Sequence, residues 1–352
     1  MRALALLLLA VAALAADAAV ETLNAQQIPP EITRALRRRL PASMAIDNQT
    51  AVADQTTEKV SEKVVGGRDA ERGQFKWQVA LILASAPKDD PFKGHFCGGS
   101  LVAWRWVLTA AHCLFVDDPA APDKLRPVRA EEVDIYLGSH NFIGGQRLRV
   151  ARIVTHESYD TDTQDNDIAL IELSSEPQGR QSLELMPLAP ATQELNTRLT
   201  VVGWGSTARG VVPPEKRQSI QTLQYLDDVR VREASQCNQH LVRSLRTRTA
   251  KLLQEQGVRS EEIRTFIDSW YPSTKQLVTR NMFCAGGAGG GDSCFGDSGG
   301  PLVVRARRTL HQVGIVSWGP AEGCGLTSLY GVYTRLANYR AWISRTTAGA
   351  VP

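Results

Sequence analysis

Gly291-Asp292-Ser293-Cys294-Phe295-Gly296-Asp297-Ser298-Gly299-Gly300-Pro301 sets a serine hydroxyl on a tight turn with glycines close on both sides. Glycine lets the backbone bend sharply and approach a bound molecule closely, so the amides of Gly296 and Ser298 can converge on a developing oxyanion. That arrangement suits acyl transfer with Ser298 as the nucleophile. A serine alone is a weak nucleophile near neutral pH, and it needs a base within hydrogen-bond reach and a group that orients the base. Two upstream segments offer them. His112 lies among small residues in Leu108-Thr109-Ala110-Ala111-His112-Cys113, and Asp167 opens an apolar run in Asn166-Asp167-Ile168-Ala169-Leu170-Ile171. Each motif alone also has a plain reading, as a loop, a core histidine or the start of a strand. Together they supply a nucleophile, a base and an orienting group.

The chain order is His, then Asp, then Ser. Subtilisin-like enzymes run Asp, His, Ser, and α/β-hydrolases run Ser, Asp, His. The chain resembles the chymotrypsin-like (trypsin-like) secreted serine proteases, and the resemblance runs from Val64-Val65-Gly66-Gly67 through Val201-Val202-Gly203-Trp204-Gly205 and Ser317-Trp318-Gly319 to Gly331-Val332-Tyr333-Thr334. It covers nearly all of residues 64–352.

The apolar patterning points to short strands. Gln78 to Leu83, Ser100 to Val102, Trp106 to Leu108, Leu199 to Val202, Leu302 to Val304 and Val313 to Val316 are rich in β-branched or bulky residues bounded by turn signals. Many short strands point to barrels. The resemblance implies an all-β fold of two six-stranded antiparallel β-barrels, with the active site in the cleft between them. His112 and Asp167 would come from the first barrel and Ser298 from the second. A C-terminal α-helix over about 336–346 would pack through Tyr339, Trp342 and Ile343. A helical insertion is expected at about 238–275, where Leu241, Leu245, Leu252 and Leu253 recur at near-helical spacing. A second segment there has Ser260 as N-cap before Glu261 and Glu262, then Ile263, Phe266, Ile267 and Trp270. The insertion has two readings: the helices simply pack their apolar faces on the second barrel, or the basic face, including Arg243, Arg246 and Lys251, is an exosite that selects protein substrates.

The N-terminal region reads as targeting and control. Met1 and Arg2 precede an uncharged Leu/Ala-rich stretch and then small residues, which predicts a signal peptide over 1–18 with cleavage between 15 and 19. Its apolar run is shorter than the roughly 20 residues a membrane span needs, so no membrane anchor is expected. Export places the protein outside the cell, or in the periplasm of a Gram-negative bacterium. Residues 19–63 read as a propeptide with Pro29-Pro30, Arg37-Arg38-Arg39 and the sequon Asn48-Gln49-Thr50, and residues 64–352 as the protease domain. The resemblance implies a zymogen, cleaved after Lys63 by an activating protease, whose new Val64 α-ammonium pairs with Asp297.

Six cysteines in an exported chain favour disulfides, although six alone permit about 15 pairings. The resemblance implies Cys97 with Cys113, Cys237 with Cys284 and Cys294 with Cys324. A zinc cluster of His95, Cys97, His112 and Cys113 is the competing reading, disfavoured by export and by the lack of compact Cys-x-x-Cys spacing. No metal or cofactor is expected. The loop from Ser139 to Arg149 has no acid to bind calcium. Tyr330 before Gly331 resembles family members that bind sodium near the pocket.

In trypsin-like members the residue six before the nucleophile is an aspartate at the pocket floor. Here it is Asp292, with Ser293 beside it. Gly319 and Gly331 would form open walls, with Ser317 and Trp318 also binding substrate, which implies cleavage after Arg or Lys. The bulky Phe295 beside the oxyanion loop would cover the pocket entrance. The segments Ala84 to Lys93 and Leu114 to Glu132 are longer than a minimal member needs, and both should flank the cleft. The formal charge of +3, from 40 basic and 37 acidic residues, names no partner. Expected partners are protein or peptide substrates with Arg or Lys at P1, the activating protease and a protein inhibitor, with no nucleic acid and a monomeric state. Two alternatives stand beside this reading: a catalytically silent binding protein on a protease scaffold, and a protease of other primary specificity.

Overall fold

The computed structural model describes residues 67–191, 193–206, 220–255, 257–287, 293–320, 324 and 330–351. The expected signal and propeptide segments, Lys63, Val64 and Asp292 therefore lie outside the described residues.

The first barrel is built from β2 (Gln78–Leu83), β3 (His95–Ala103), β4 (Trp106–Thr109), β7 (Val133–Leu137), β8 (Gln146–Thr155) and β9 (Ala169–Leu173). These close in the order β2-β3-β4-β9-β8-β7, every pairing antiparallel. Closure removes the open edges a sheet would otherwise present. Val79, Leu81, Leu101, Leu108, Ile135, Leu170 and Ile171 are buried in its core. Between β4 and β7, the segment after His112 forms a hairpin of β5 (Phe115–Asp118) and β6 (Ala121–Pro127). Its base is braced by Glu132, which takes Arg126 in a two-pronged bond at 2.8 and 2.9 Å. Those bonds hold the Glu132 carboxyl at about 2, below the usual range.

The second barrel uses β10 (Arg198–Gly203), β11 (Gln224–Val231), β12 (Met282–Gly287), β13 (Pro301–Ala306), β14 (Thr309–Trp318) and β15 (Gly331–Arg335). Its strand order is β11-β10-β13-β14-β15-β12, and the β11–β12 pairing closes it. Short β1 (Arg68–Asp69) adds to the outer edge of β11. Leu199, Val201, Val229, Phe283, Leu302 and Tyr333 fill this core. The strands expected from sequence all fall within these elements.

Two helices interrupt the path from β11 to β12. The first, α1 (Ala234–Glu255), begins before Cys237 and so earlier than the apolar spacing indicated. The second is α2 (Ser260–Trp270). Ser260 is not its cap: Arg259 holds the N-cap position with no side-chain cap bond, and Ser260 is the first helical residue. Cys237 and Leu241 of α1 pack against Met282, Cys284 and Val332 of the second barrel. Buried Asn238 holds the returning chain, donating to the Lys275 carbonyl and accepting from the Leu277 amide at 2.7 Å. Arg246 is not free for an exosite. It donates to the Tyr271 carbonyl and to Asp268, both at 2.6 Å, and so ties α1 to α2. No helix among the described residues is long and apolar enough to cross a membrane.

The C-terminal helix α3 (Arg340–Thr346) starts later than expected, because Leu336–Asn338 winds as a tighter 3-10 turn and Tyr339 is not helical. Trp342 and Ile343 are buried, and Trp342 Nε1 donates to Glu157 of the first barrel at 2.9 Å.

Replacing Arg246 by Ala should raise amide exchange across α2 by an opening cost lower by about 1 kcal/mol, with amidolysis of small peptides unchanged. Hydrogen-exchange mass spectrometry together with a small-substrate assay checks both halves.

Candidate active site

The site is assembled where the two barrels meet. His112 follows β4 in a 3-10 turn, and its neighbour Cys113 is bonded to Cys97 of β3. The pair fixes the turn that carries the imidazole. Asp167 stands just before β9 and is fully buried. Its Oδ1 accepts the backbone amide of His112 at 2.8 Å, and its Oδ2 accepts His112 Nδ1 at 2.8 Å. A carboxylate at Nδ1 requires that nitrogen to carry the proton, which leaves Nε2 with its lone pair.

The second barrel completes this carboxylate. Ser317 Oγ, on β14, donates to Asp167 Oδ2 at 2.5 Å, and Thr334 Oγ1, on β15, donates to the Asp167 carbonyl at 2.7 Å. Three donors on one buried carboxylate offset the cost of removing it from water. Ser317, expected among the substrate-binding residues, spends its hydroxyl on Asp167. Thr334 carries a contact that sequence reading missed, although it lies inside the quoted Gly331 to Thr334 motif.

A further clasp joins the barrels next to Asp167. Thr279 Oγ1 donates to Asp165 Oδ1 at 2.6 Å, Asn281 Nδ2 donates to the same carboxylate, and Tyr339 OH donates to Asn166 Oδ1 at 3.0 Å. Asn166 holds a positive φ of 57°, a region asparagine tolerates better than most residues.

Ser298 reaches the first barrel through its backbone. The Gly98 amide of β3 donates to the Ser298 carbonyl at 2.7 Å, and the Gly299 amide donates to Val316 of β14 at 2.8 Å. Gly299 has φ 75°, and a Cβ there would sit 2.2 Å from Thr109 Oγ1 and 3.2 Å from the Ala110 amide. Only glycine permits this approach, which seats the serine turn two residues from His112. The structure has no hydrogen bond between Ser298 Oγ and His112 Nε2, a contact that in unliganded sites is commonly long until substrate binds. The amides of Gly296, at φ 94°, and of Ser298 donate to no acceptor among the described residues.

Asp297 is also fully buried. It accepts the Gly205 amide at 2.7 Å and the Cys294 amide at 2.9 Å. Among the described residues no cation faces it. Burial pushes its carboxyl up to about 6, against the partial help of those two amides. Gly203 and Gly205 make the space, because a Cβ at either would lie 2.0 or 2.5 Å from this carboxylate group.

Three disulfides are formed, Cys97–Cys113, Cys237–Cys284 and Cys294–Cys324. The zinc reading is thereby overturned, since the sulfurs near His112 belong to a disulfide and offer no thiolate. Of the residues expected to bind substrate, Ser293 Oγ lies 3.1 Å from the Tyr333 hydroxyl, and Gly331 pairs with Ala285. Gly319 faces open space, where a Cβ would meet nothing within 4 Å. Phe295 packs against the Cys294–Cys324 disulfide. Tyr330 lies between the Arg232 guanidinium, 5.1 Å from its ring, and His240 of α1.

The comparisons with known proteins agree with this architecture. Residues 64–343 match the family described as Trypsin. The chain is 33% identical to a mouse (Mus musculus) tryptase over 286 residues, 80% of this chain and 88% of the relative. It is 32% identical to a trypsin of Phaedon cochleariae over 81% of this chain and 88% of that protein. It is 31% identical to human (Homo sapiens) kallikrein-14, over 84% and 88%. The chain belongs to the trypsin family of serine endopeptidases.

The Asp297 environment predicts a pH signature for the full-length chain. Its folded value lies above the unfolded 3.8, so the folded state binds the proton more tightly. Stability should fall by about 3 kcal/mol as pH rises from about 4 to about 6. Asp297→Asn should flatten that slope, while costing stability at pH 4 where one backbone amide loses its acceptor. Urea midpoints at a series of pH values measure both.

Proposed function

We propose that this protein is a secreted serine endopeptidase, made as an inactive precursor, that hydrolyses peptide bonds after Arg or Lys through His112, Asp167 and Ser298. The observation that carries the reading is the buried Asp167, which bonds the His112 ring on one side and the Ser298-bearing barrel on the other. In the mechanism, Ser298 Oγ attacks the scissile carbonyl carbon while His112 Nε2 takes the hydroxyl proton. The carbonyl oxygen becomes an oxyanion, received by the amides of Gly296 and Ser298. The C–N bond then breaks and His112 returns the proton to the leaving amine. Water repeats the sequence on the acyl-enzyme and frees Ser298. Throughout, Asp167 holds the tautomer and offsets the charge of the imidazolium.

Activation would follow cleavage after Lys63. Asp69 of β1 stands opposite Gln224 of β11, which stands opposite Gly203 of β10, the residue that Asp297 Oδ1 abuts. Two strand spacings of about 4.8 Å separate β1 from β10. Val64 to Gly67 extends up to about 14 Å, long enough for a new α-ammonium to reach the buried carboxylate. Such a pair satisfies a charge that is otherwise held in low dielectric, and it fixes the oxyanion loop. β1 itself is pinned in advance by ion pairing of Arg68 with Asp227 at 2.5 Å and by the Ala70 amide on the Leu223 carbonyl.

For specificity, Asp292 is the proposed floor and Gly319 and Gly331 the open walls, with Ser293, Ser317 and Trp318 completing the substrate-binding residues. The open space at Gly319 supports entry of a long side chain. Substrates, an activating protease and a protein inhibitor are the proposed partners, and the protein is expected outside the cell as a monomer.

Trypsin-cleaved protein should take a fluorophosphonate label, whereas Ser298→Ala should take none and Lys63→Gln should stay unlabelled and inactive after the same treatment. Labelling of Ser298→Ala would refute the triad. On peptide libraries, cleavage should follow Arg and Lys, benzamidine should compete, and Asp292→Asn should lower kcat/KM on Arg substrates by about 100-fold. Faster cleavage after Phe than after Arg would favour a protease of other primary specificity.

A further inference from the structure

The outer face of the second barrel carries an arginine row that neither the triad nor the pocket uses. In the antiparallel register of β10 and β11, Arg198 stands directly opposite Arg230. On the other side of β10, Leu199 stands opposite Val304 of β13, so the next position along sets Arg198 beside Arg305. Neighbours across a sheet point to one face, so Arg230, Arg198 and Arg305 form a line perpendicular to the strands, stepping by about 4.8 Å. The line continues into the β13–β14 turn, where Arg307 and Arg308 are exposed together with Arg305.

Like charges directly opposite one another destabilise a sheet, and the fold offsets this on one side only. Asp228 pairs with Arg198 at 3.4 Å and with Arg230 at 3.2 Å, and Asp227 lies 3.8 Å from Arg198. The side chains of Arg305, Arg307 and Arg308 make no hydrogen bond or ion pair among the described residues. Arg307 also holds a positive φ of 55°, an uncommon conformation for a long side chain. Three guanidinium groups are thus left unneutralised on a tight hairpin, at the end of a row that already crosses three strands.

We propose that this row and hairpin bind a linear sulfated polysaccharide. Guanidinium groups match the oxygens of sulfate in two-pronged fashion, and charges repeated at short intervals suit a chain with closely spaced sulfates better than a single anion. No aromatic ring is exposed among the described residues, so the surface has no stacking platform for nucleic acid bases. The inference is independent of the proposed triad and specificity, because the row lies on strands β10, β11 and β13, away from His112 and Asp167. It gives an exported protease a means of being held on a sulfated matrix while its cleft stays open.

The test uses the full chain on immobilised heparin. The wild type should be retained, with log Kd varying steeply with log salt concentration. The triple variant Arg305→Ala, Arg307→Asn and Arg308→Ala, with asparagine chosen to keep the positive φ, should elute at lower salt, and its salt slope should fall by about two to three. The single variant Arg305→Gln should show a smaller shift in the same direction. Far-ultraviolet circular dichroism and the thermal unfolding midpoint of each variant, expected to equal wild type, show that they fold. Retention and salt slope equal to wild type in folded variants would overturn the proposal. So would equal retention on polyglutamate, which carries carboxylates without sulfates, or tighter retention on single-stranded DNA.

Discussion

One buried carboxylate holds the two halves of this molecule in working register. Asp167 belongs to the first barrel by sequence and fixes His112 there, yet it takes a hydroxyl from β14 and gives its carbonyl to β15. An ionised group with no access to water is costly unless its oxygens are filled, and here the donors needed to fill them come from both barrels. The same contact that makes Asp167 tolerable therefore brings the imidazole to the serine turn. The Gly98 amide on the Ser298 carbonyl works in the same direction, and Gly299 makes that approach sterically allowed.

Asp297 is the opposite case. It is buried as deeply, but its partners are two backbone amides, and burial leaves its carboxyl raised. Two glycines are required to seat it. A group in this condition gains from a cation, and the reach from β1 to β10 gives one route by which a newly exposed N-terminus supplies it. The two carboxylates thus divide the proposed work, one orienting the base and the other coupling the oxyanion turn to processing.

Much of this was legible in the chain because the chemistry is concentrated in short motifs. The His, Asp, Ser order and the glycines around Ser298 identified the family, and the β-branched runs located the strands. What stayed hidden depends on distant partners. Nothing local in Ser317-Trp318-Gly319 indicates that the serine hydroxyl turns to Asp167. Arg246 read as part of the basic face because its partners, Asp268 on a second helix and Tyr271 just past that helix's end, are set by a packing no spacing reveals. Ser260 has the chemistry of a helix cap, but the chain enters α2 one residue earlier. The arginine row is invisible in sequence for the same reason, since Arg198, Arg230 and Arg305 meet only through strand register.

The claim that Asp167 holds His112 as a competent base is tested most directly by Asp167→Asn in the processed enzyme, with kcat and KM measured separately on a small Arg substrate. With the amide oxygen kept on the His112 backbone amide, the NH2 group takes the place of Oδ2 and donates to the ring nitrogen it faces, and so favours the wrong tautomer. The account predicts a fall in kcat of about 10⁴-fold near neutral pH with little change in KM. A variant that keeps kcat within tenfold of wild type would contradict it.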